Sequence, residues 1–126
     1  MGYPRENTIQ VAAIGSAGAA ATVKLPNAAT GALPADQTGA IHPIGANSRW
    51  RIRALTASYG AAPAASSTLI ITDGVFTWTL DLNSATPLAL LQLDLQCAAG
   101  AEVDITLSAG GGVILGHLNV SAVSEG

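Results

Sequence analysis

The chain has 126 residues, enough for one domain with a core of its own, and its single cysteine, Cys97, rules out an internal disulfide framework or a multi-cysteine zinc site. Charged residues make up only 10% of it, well under the roughly 25% of an ordinary soluble domain, and the net charge of −3 argues against a nucleic-acid binder. No run of about 18 apolar residues marks a membrane span, so the scarcity of charge points to a surface partly covered by other subunits.

The start, Met1-Gly2-Tyr3-Pro4-Arg5-Glu6, has no basic stretch leading into an apolar one, and Glu6 stands where a myristoylation signal needs Ser or Thr. Synthesis and assembly in the cytoplasm are therefore expected. Residues 1–48 are rich in Ala, Gly, Thr and Pro and read as a strand-and-loop segment or arm ahead of a sandwich core over 49–126, the two forming one domain. Short strands are predicted at Thr8–Ile14 and Ala21–Leu25. From Pro26 to Asn47 the residues are small and punctuated by Pro34 and Pro43, which suits either a surface loop or an arm that orders on a neighbour.

From Arg49 the pattern is regular. Arg49-Trp50-Arg51-Ile52-Arg53 alternates polar and apolar, the two-residue period of a strand with one wet face, and the strand extends to about Tyr59. Thr68–Thr72 runs into Asp73-Gly74, and Val75–Leu82 runs out, which predicts a hairpin closed by a two-residue type I′ turn. Phe76, Trp78, Leu80 and Leu82 share one face of its second strand, and Trp50 and Trp78 are expected in the core. Leu91–Gln96 alternates again, while Leu88 and Leu90 fall on the other parity, as a bulge or a stretch covered on both sides requires. Glu102–Leu107 and Val113–Val120 supply the last strands, joined through Gly110-Gly111-Gly112. The large apolar side chains lie between Trp50 and Val120, so the core is expected from that region. About seven or eight short strands and no amphipathic helix predict an all-β, antiparallel, jelly-roll-like sandwich with an extended N-terminal segment.

No catalytic set emerges. His42 and His117 lack partners at the spacing that metal binding or acid–base work requires. Asp81, Asp94, Glu102 and Asp104 fall on predicted polar strand faces, with no facing carboxylate pair and no Asp-rich loop. No nucleophile elbow or phosphate loop is present, Cys97 reads as a small hydrophobe, and no metal or cofactor is expected. The informative charges are Arg49, Arg51 and Arg53, three of the five basic residues, spaced to share one strand face. Either they pair across strands with Asp81, Asp94 or Asp104, or they form a docking stripe for an acidic partner surface.

The stretch Asn47-Ser48-Arg49-Trp50-Arg51-Ile52-Arg53-Ala54-Leu55, continuing through Ala57-Ser58-Tyr59 to Leu69-Ile70-Ile71-Thr72-Asp73-Gly74, resembles small structural proteins of tailed bacteriophages. The likeness covers roughly residues 41–82. It implies a compact sandwich on the virion that decorates or cements the capsid, often as a homotrimer. The partners it implies are further copies of the chain and the major capsid protein or another virion protein; nucleic acid and membrane are not expected as partners, on the charge and the lack of a long apolar run. The alternative expectation is a carbohydrate- or receptor-binding module of a phage tail or fibre. That would need exposed aromatics from among Tyr3, Trp50, Tyr59, Phe76 and Trp78.

Overall fold

The computed structural model describes residues 7–15, 19–30, 47–63, 66–82, 88–90, 92–111 and 113–125. They form nine strands: β1 (Asn7–Gly15), β2 (Ala21–Leu25), β3 (Arg49–Tyr59), β4 (Thr68–Thr72), β5 (Thr77–Asp81), β6 (Leu88–Leu90), β7 (Leu95–Gln96), β8 (Val103–Leu107) and β9 (Gly116–Glu125). All pairings are antiparallel, and the strands make two packed sheets. One has the order β1-β9-β3-β6, with β7 also on β3, and the other has the order β2-β8-β4-β5.

The pairing is nested. β1 pairs with β9, β2 with β8, β3 with β6 and β7, and β4 with β5, while β9–β3 and β8–β4 contacts complete the sheets. This is the connectivity of a jelly roll, a long hairpin folded over itself into a double layer. Both sheets draw strands from either side of residue 48. β1 crosses to β2 through a tight corner at Gly15, where a Cβ would lie 2.7 Å from the Ala19 carbonyl oxygen and 2.9 Å from the Ala21 nitrogen.

Alternation produces the core. Residues are buried at every second position along β2, β4 and β8, and the buried set includes Trp50, Ile52, Leu55, Leu69, Ile71, Val103, Ile105, Leu107, Leu118 and Val120. Ala21, Val23, Leu25 and Ala28 join it, so the core extends into the first 48 residues, beyond the region expected to supply it. Trp50 is fully buried as expected. Its indole Nε1 donates to the Pro26 carbonyl, tying β3 to the residue that follows β2 in the opposite sheet.

Strand β3 contains a bulge that strict alternation does not anticipate. Trp50 and Ile52 point inward, yet so do Leu55, Ala57 and Tyr59 on the other parity. The β9 register steps from Ile52↔Ala122 to Ala54↔Ser121 and leaves Arg53 as the extra residue. Its carbonyl accepts from the Leu93 N–H at 3.0 Å. Opposite the bulge, the strand predicted over Leu91–Gln96 is interrupted. β6 pairs at Leu55↔Leu90 and β7 at Ile52↔Leu95, and Gln92–Asp94 link them outside regular pairing, with Leu91 outside the described residues.

The hairpin after Asp73 also differs from expectation. The register Thr72↔Thr77 makes residues 73–76 a four-residue connection, and among the described residues only glycines, Gly74 included, have positive φ. A type I′ turn would need positive φ at Asp73 as well. Asp73 instead accepts from the N–H groups of Val75 and Phe76 through Oδ1 and caps the loop itself. The last strand runs over Gly116–Glu125 rather than 113–120, because β9 is bonded on both sides, by β1 and β3. Val113 stays outside it and 93% exposed. The loop-or-arm question for 26–47 falls mostly outside the described residues. Among those residues no helix is long and apolar enough to cross a membrane.

Gly15→Ala should lower the thermal midpoint, at a cost of about 1–3 kcal/mol, because the new methyl meets backbone rather than a movable side chain. Thermal unfolding followed by circular dichroism measures this, and a variant as stable as the parent would refute the corner geometry.

Candidate functional site

The three arginines are not equivalent. Arg51 pairs with Asp94, Nη1 to Oδ1 at 3.0 Å and to Oδ2 at 3.2 Å, with side chains 26% and 65% exposed. This is one of the cross-strand pairings the spacing allows, and the β6–β7 interruption makes it possible by releasing Asp94 from the sheet. At that exposure the pair contributes about 1 kcal/mol at most. Arg49 is half-buried and Arg53 exposed, and neither makes an ion pair among the described residues. The bulge at Arg53 ends the strict two-residue spacing from which one shared face follows.

The other candidates stay apart. His117, half-buried in β9, is the Cα partner of Ile14 and Ser58, and His42 lies outside the described residues. Asp81 closes β5 and Asp104 lies in β8 opposite Lys24, while Asp94 and Glu102 stand just outside strands. Among the described residues no group of three or more His, Cys, Asp or Glu side chains could hold a metal ion.

Two kinds of surface stand out. Outside the arginines of β3, most described outward positions of the two sheets are uncharged. In the β2-β8-β4-β5 sheet, register aligns Thr22, Thr106, Ile70 and Thr79 in one row, and Lys24, Asp104, Thr72 and Thr77 in the next. In the other sheet, β9 presents Asn119, Ser121 and Val123 beside Thr56, Ala54 and Arg51 of β3. The second surface is the β5 edge. Register pairs Trp78 with Ile71 and Leu80 with Leu69, so both face the core side of their sheet. Yet Leu80 is 39% exposed, Phe76 58% and Val75 69%, and Trp78 is only partly buried. Among the described residues, β5 ends its sheet as the short β6 ends the other. The expectation of a core position for Trp78 thus holds in part, and the Phe76–Val75 exposure has no local sequence signal.

One polar cluster does structural work at the end of the sandwich where segment 97–100 runs. Asp73 is buried, and its Oδ2 accepts the Ala98 N–H at 2.8 Å, linking the β4–β5 loop to the segment after β7. That segment is held from two further directions. Cys97 N–H donates to the Trp50 carbonyl and Gly100 N–H to the Ser48 carbonyl, while the Asn27 amide donates to the Gly100 carbonyl. Burial raises the Asp73 carboxyl, but the N–H groups of Phe76, Val75, Ala98 and its own residue outweigh it and hold the pKa below the ordinary 3.8. Cys97 behaves as a buried hydrophobe. Burial, with the Asp73 charge adding to it, pushes the thiol up to about 12.

No family model matches this chain, and no curated protein does. Among solved structures, 21 chains are similar. A crystal structure of FLHE covers 95% of this chain and 96% of its own, at 16% identity and a TM-score of 0.39. A virus-like particle of the extra small virus of the prawn Macrobrachium rosenbergii covers 94% and 79%, at 12% identity and 0.31. An exo-β-1,3-galactanase from Phanerochaete chrysosporium covers 93% of this chain but 27% of its own, at 12% and 0.33. These likenesses are distant and assign this chain no function.

Two outcomes follow from the Asp73 cluster. Because the folded pKa is depressed, the carboxylate's contribution is present above the unfolded pKa near 3.8 and is lost as pH falls through the folded value. Asp73→Asn, which keeps one acceptor oxygen and faces the Ala98 N–H with an amide, should cost about 1–3 kcal/mol at pH 7 and flatten the loss of stability below about pH 4. Denaturant titrations across pH measure both. Cys97 should resist a thiol reagent at pH 8 in the native protein and react on unfolding. Labelling of the folded chain as fast as of the unfolded one would contradict its burial.

Proposed function

We propose that the chain is a structural subunit of a tailed-bacteriophage particle, a capsid decoration or cement protein. It coats or stabilises the head by packing against the major capsid protein and against copies of itself, as a homotrimer. It resides in the virion after assembly in the host cytoplasm. The observation that carries this reading is the scarcity of charge at the described outward positions away from the β3 arginines, where the charged residues of β2 and β8, Lys24 and Asp104, sit opposite each other. Interfaces are depleted of charge at their centres because desolvating an unpaired charge is expensive, and outward positions such as Thr22, Thr106, Thr79, Asn119, Ser121 and Ala54 avoid that cost. Small side chains also let a neighbouring subunit approach the sheet closely. Arg49 and Arg53 supply orientation in this reading, as cations that seek acidic groups on the capsid surface.

The competing reading, a glycan- or receptor-binding module, draws support from the exposure of Phe76 beside Trp78. Their ring centroids are 5.8 Å apart but the planes are inclined by 43°, so the two rings do not form one flat platform for a sugar. Trp50 and Tyr59 are buried and contribute no binding surface.

Mixing the purified protein with expanded capsids that lack it, followed by electron microscopy, tests the proposal. Added density on the capsid surface is expected. Replacing both Arg49 and Arg53 with Ala should weaken binding about tenfold, or ~1.4 kcal/mol, with the thermal midpoint unchanged. Capsids left bare by the unmodified protein would overturn the reading.

A further inference from the structure

The backbone of β5 points in a direction that the surrounding hydrogen bonds determine. Leu82 N–H donates to the Ser67 carbonyl at 2.8 Å, and Asp73 N–H donates to the Phe76 carbonyl at 3.3 Å. Both belong to the β4–β5 register, so the even-numbered residues from Phe76 to Leu82 exchange bonds with β4. Thr77, Thr79 and Asp81 therefore turn their N–H and C=O groups away from β4. β5 is the last strand of its sheet, so among the described residues these groups form an open edge, and the side chains of Thr77, Thr79 and Asp81 beside them are exposed.

Natural edges are guarded by lysine, proline, bulges or covering segments. β2, at the other edge of this sheet, carries Lys24. β5 carries neither lysine nor proline, and its one charge is Asp81 at the end. Beside this edge lie the exposed side chains of Val75, Phe76 and Leu80. An unguarded main-chain edge and an uncovered apolar strip thus coincide on one strand.

We propose that the β5 edge is the docking site for a second copy of this chain, by antiparallel pairing about a two-fold axis through Thr79. The pairing joins the two four-stranded sheets into one continuous sheet. In this register Thr79 meets Thr79 of the second copy and Thr77 meets its Asp81, so all three outward-facing residues pair, with about six main-chain hydrogen bonds. Trp78 lies beside Leu80 of the second copy, and Phe76 beside its Leu82. Charge selects the same register. Each Asp81 faces a neutral threonine, and the two carboxylates stand about 14 Å apart along the strands at ~3.4 Å per residue. That separation exceeds a screening length of about 8 Å at physiological salt. Centring the axis on Asp81 would instead set the two carboxylates directly opposite each other, which is destabilising. The exposed parts of Val75, Phe76 and Leu80 come to roughly 300 Å² per chain at ordinary side-chain areas. Two such strips and two strand edges bury roughly 1,000 Å², near the lower limit for a specific interface, so the dimer dissociates on dilution.

This contact lies on the sheet opposite to Arg49 and Arg53 and does not depend on the capsid reading; beside a homotrimer it would link two trimers edge to edge, again doubling the mass. Sedimentation equilibrium from about 1 to 100 μM tests it, since that range spans the affinities of modest interfaces. The unmodified chain should show a twofold rise in mass with concentration. Thr79→Pro removes an N–H that the fold does not use, and Thr79→Lys sets two cations across the axis. Either should weaken association at least about tenfold while the circular dichroism and melting of the monomer are retained. The lysine variant should recover part of its association at high salt. A chain that stays monomeric at the highest concentration, a trimer indifferent to both variants, or an edge filled by an extended peptide of another protein would overturn the proposal. An unaffected trimer would leave the capsid reading standing, whereas bare capsids with a Thr79-dependent dimer would do the reverse.

Discussion

Trp50 is the residue through which the two sheets are held to each other. Its ring is fully buried, its Nε1 donates to the Pro26 carbonyl at the end of β2, and its own carbonyl accepts from Cys97 N–H after β7. One residue thus joins β3 to the opposite sheet by its side chain and to the returning half of the chain by its backbone. A buried indole N–H without a partner would be costly, so the path of the chain after β2 is bound to this ring. The Asp73 carboxylate completes the arrangement by drawing the β4–β5 loop onto Ala98, the residue after Cys97.

The nested pairing has consequences for where surface is left over. β9 is sandwiched between β1 and β3 and runs ten residues. At the other end of that sheet, the Arg53 bulge is matched by the gap between β6 and β7. The same interruption frees Asp94 to meet Arg51.

The resulting molecule offers faces on which charge is sparse outside the β3 arginines, and one apolar edge, and among the described residues no group of three or more His, Cys, Asp or Glu side chains could hold a metal ion. Such a surface is suited to packing against other proteins. Its low charge reduces the repulsion between copies, and its small side chains reduce the conformational entropy lost on contact.

Much of the fold was legible because alternation is a direct record of burial in antiparallel sheets. β2, β3 and β4 match their expected spans, and β1 and β8 lie within a residue of theirs. The change of parity from Trp50 and Ile52 to Leu55 and Ala57 also recorded the β3 bulge, a signal that strict alternation over 49–53 hid. The turn after Thr72 differs from the two-residue type expected of Asp-Gly because the Asp73 carboxylate caps Val75 and Phe76 through one oxygen, and the other is held by Ala98, a partner 25 residues away. The candidate site was legible only as residue types: three arginines were visible, but not that Asp94 would engage the middle one. By itself, the sequence determined the strand periodicity, the all-β class and the scarcity of charge, since each follows from side chains taken one or a few at a time. The tertiary structure decided the extent of β9, the break between β6 and β7, and the exposure of the β5 edge. Those depend on which strands lie alongside and opposite, and such neighbours are set by pairings many residues apart in the chain.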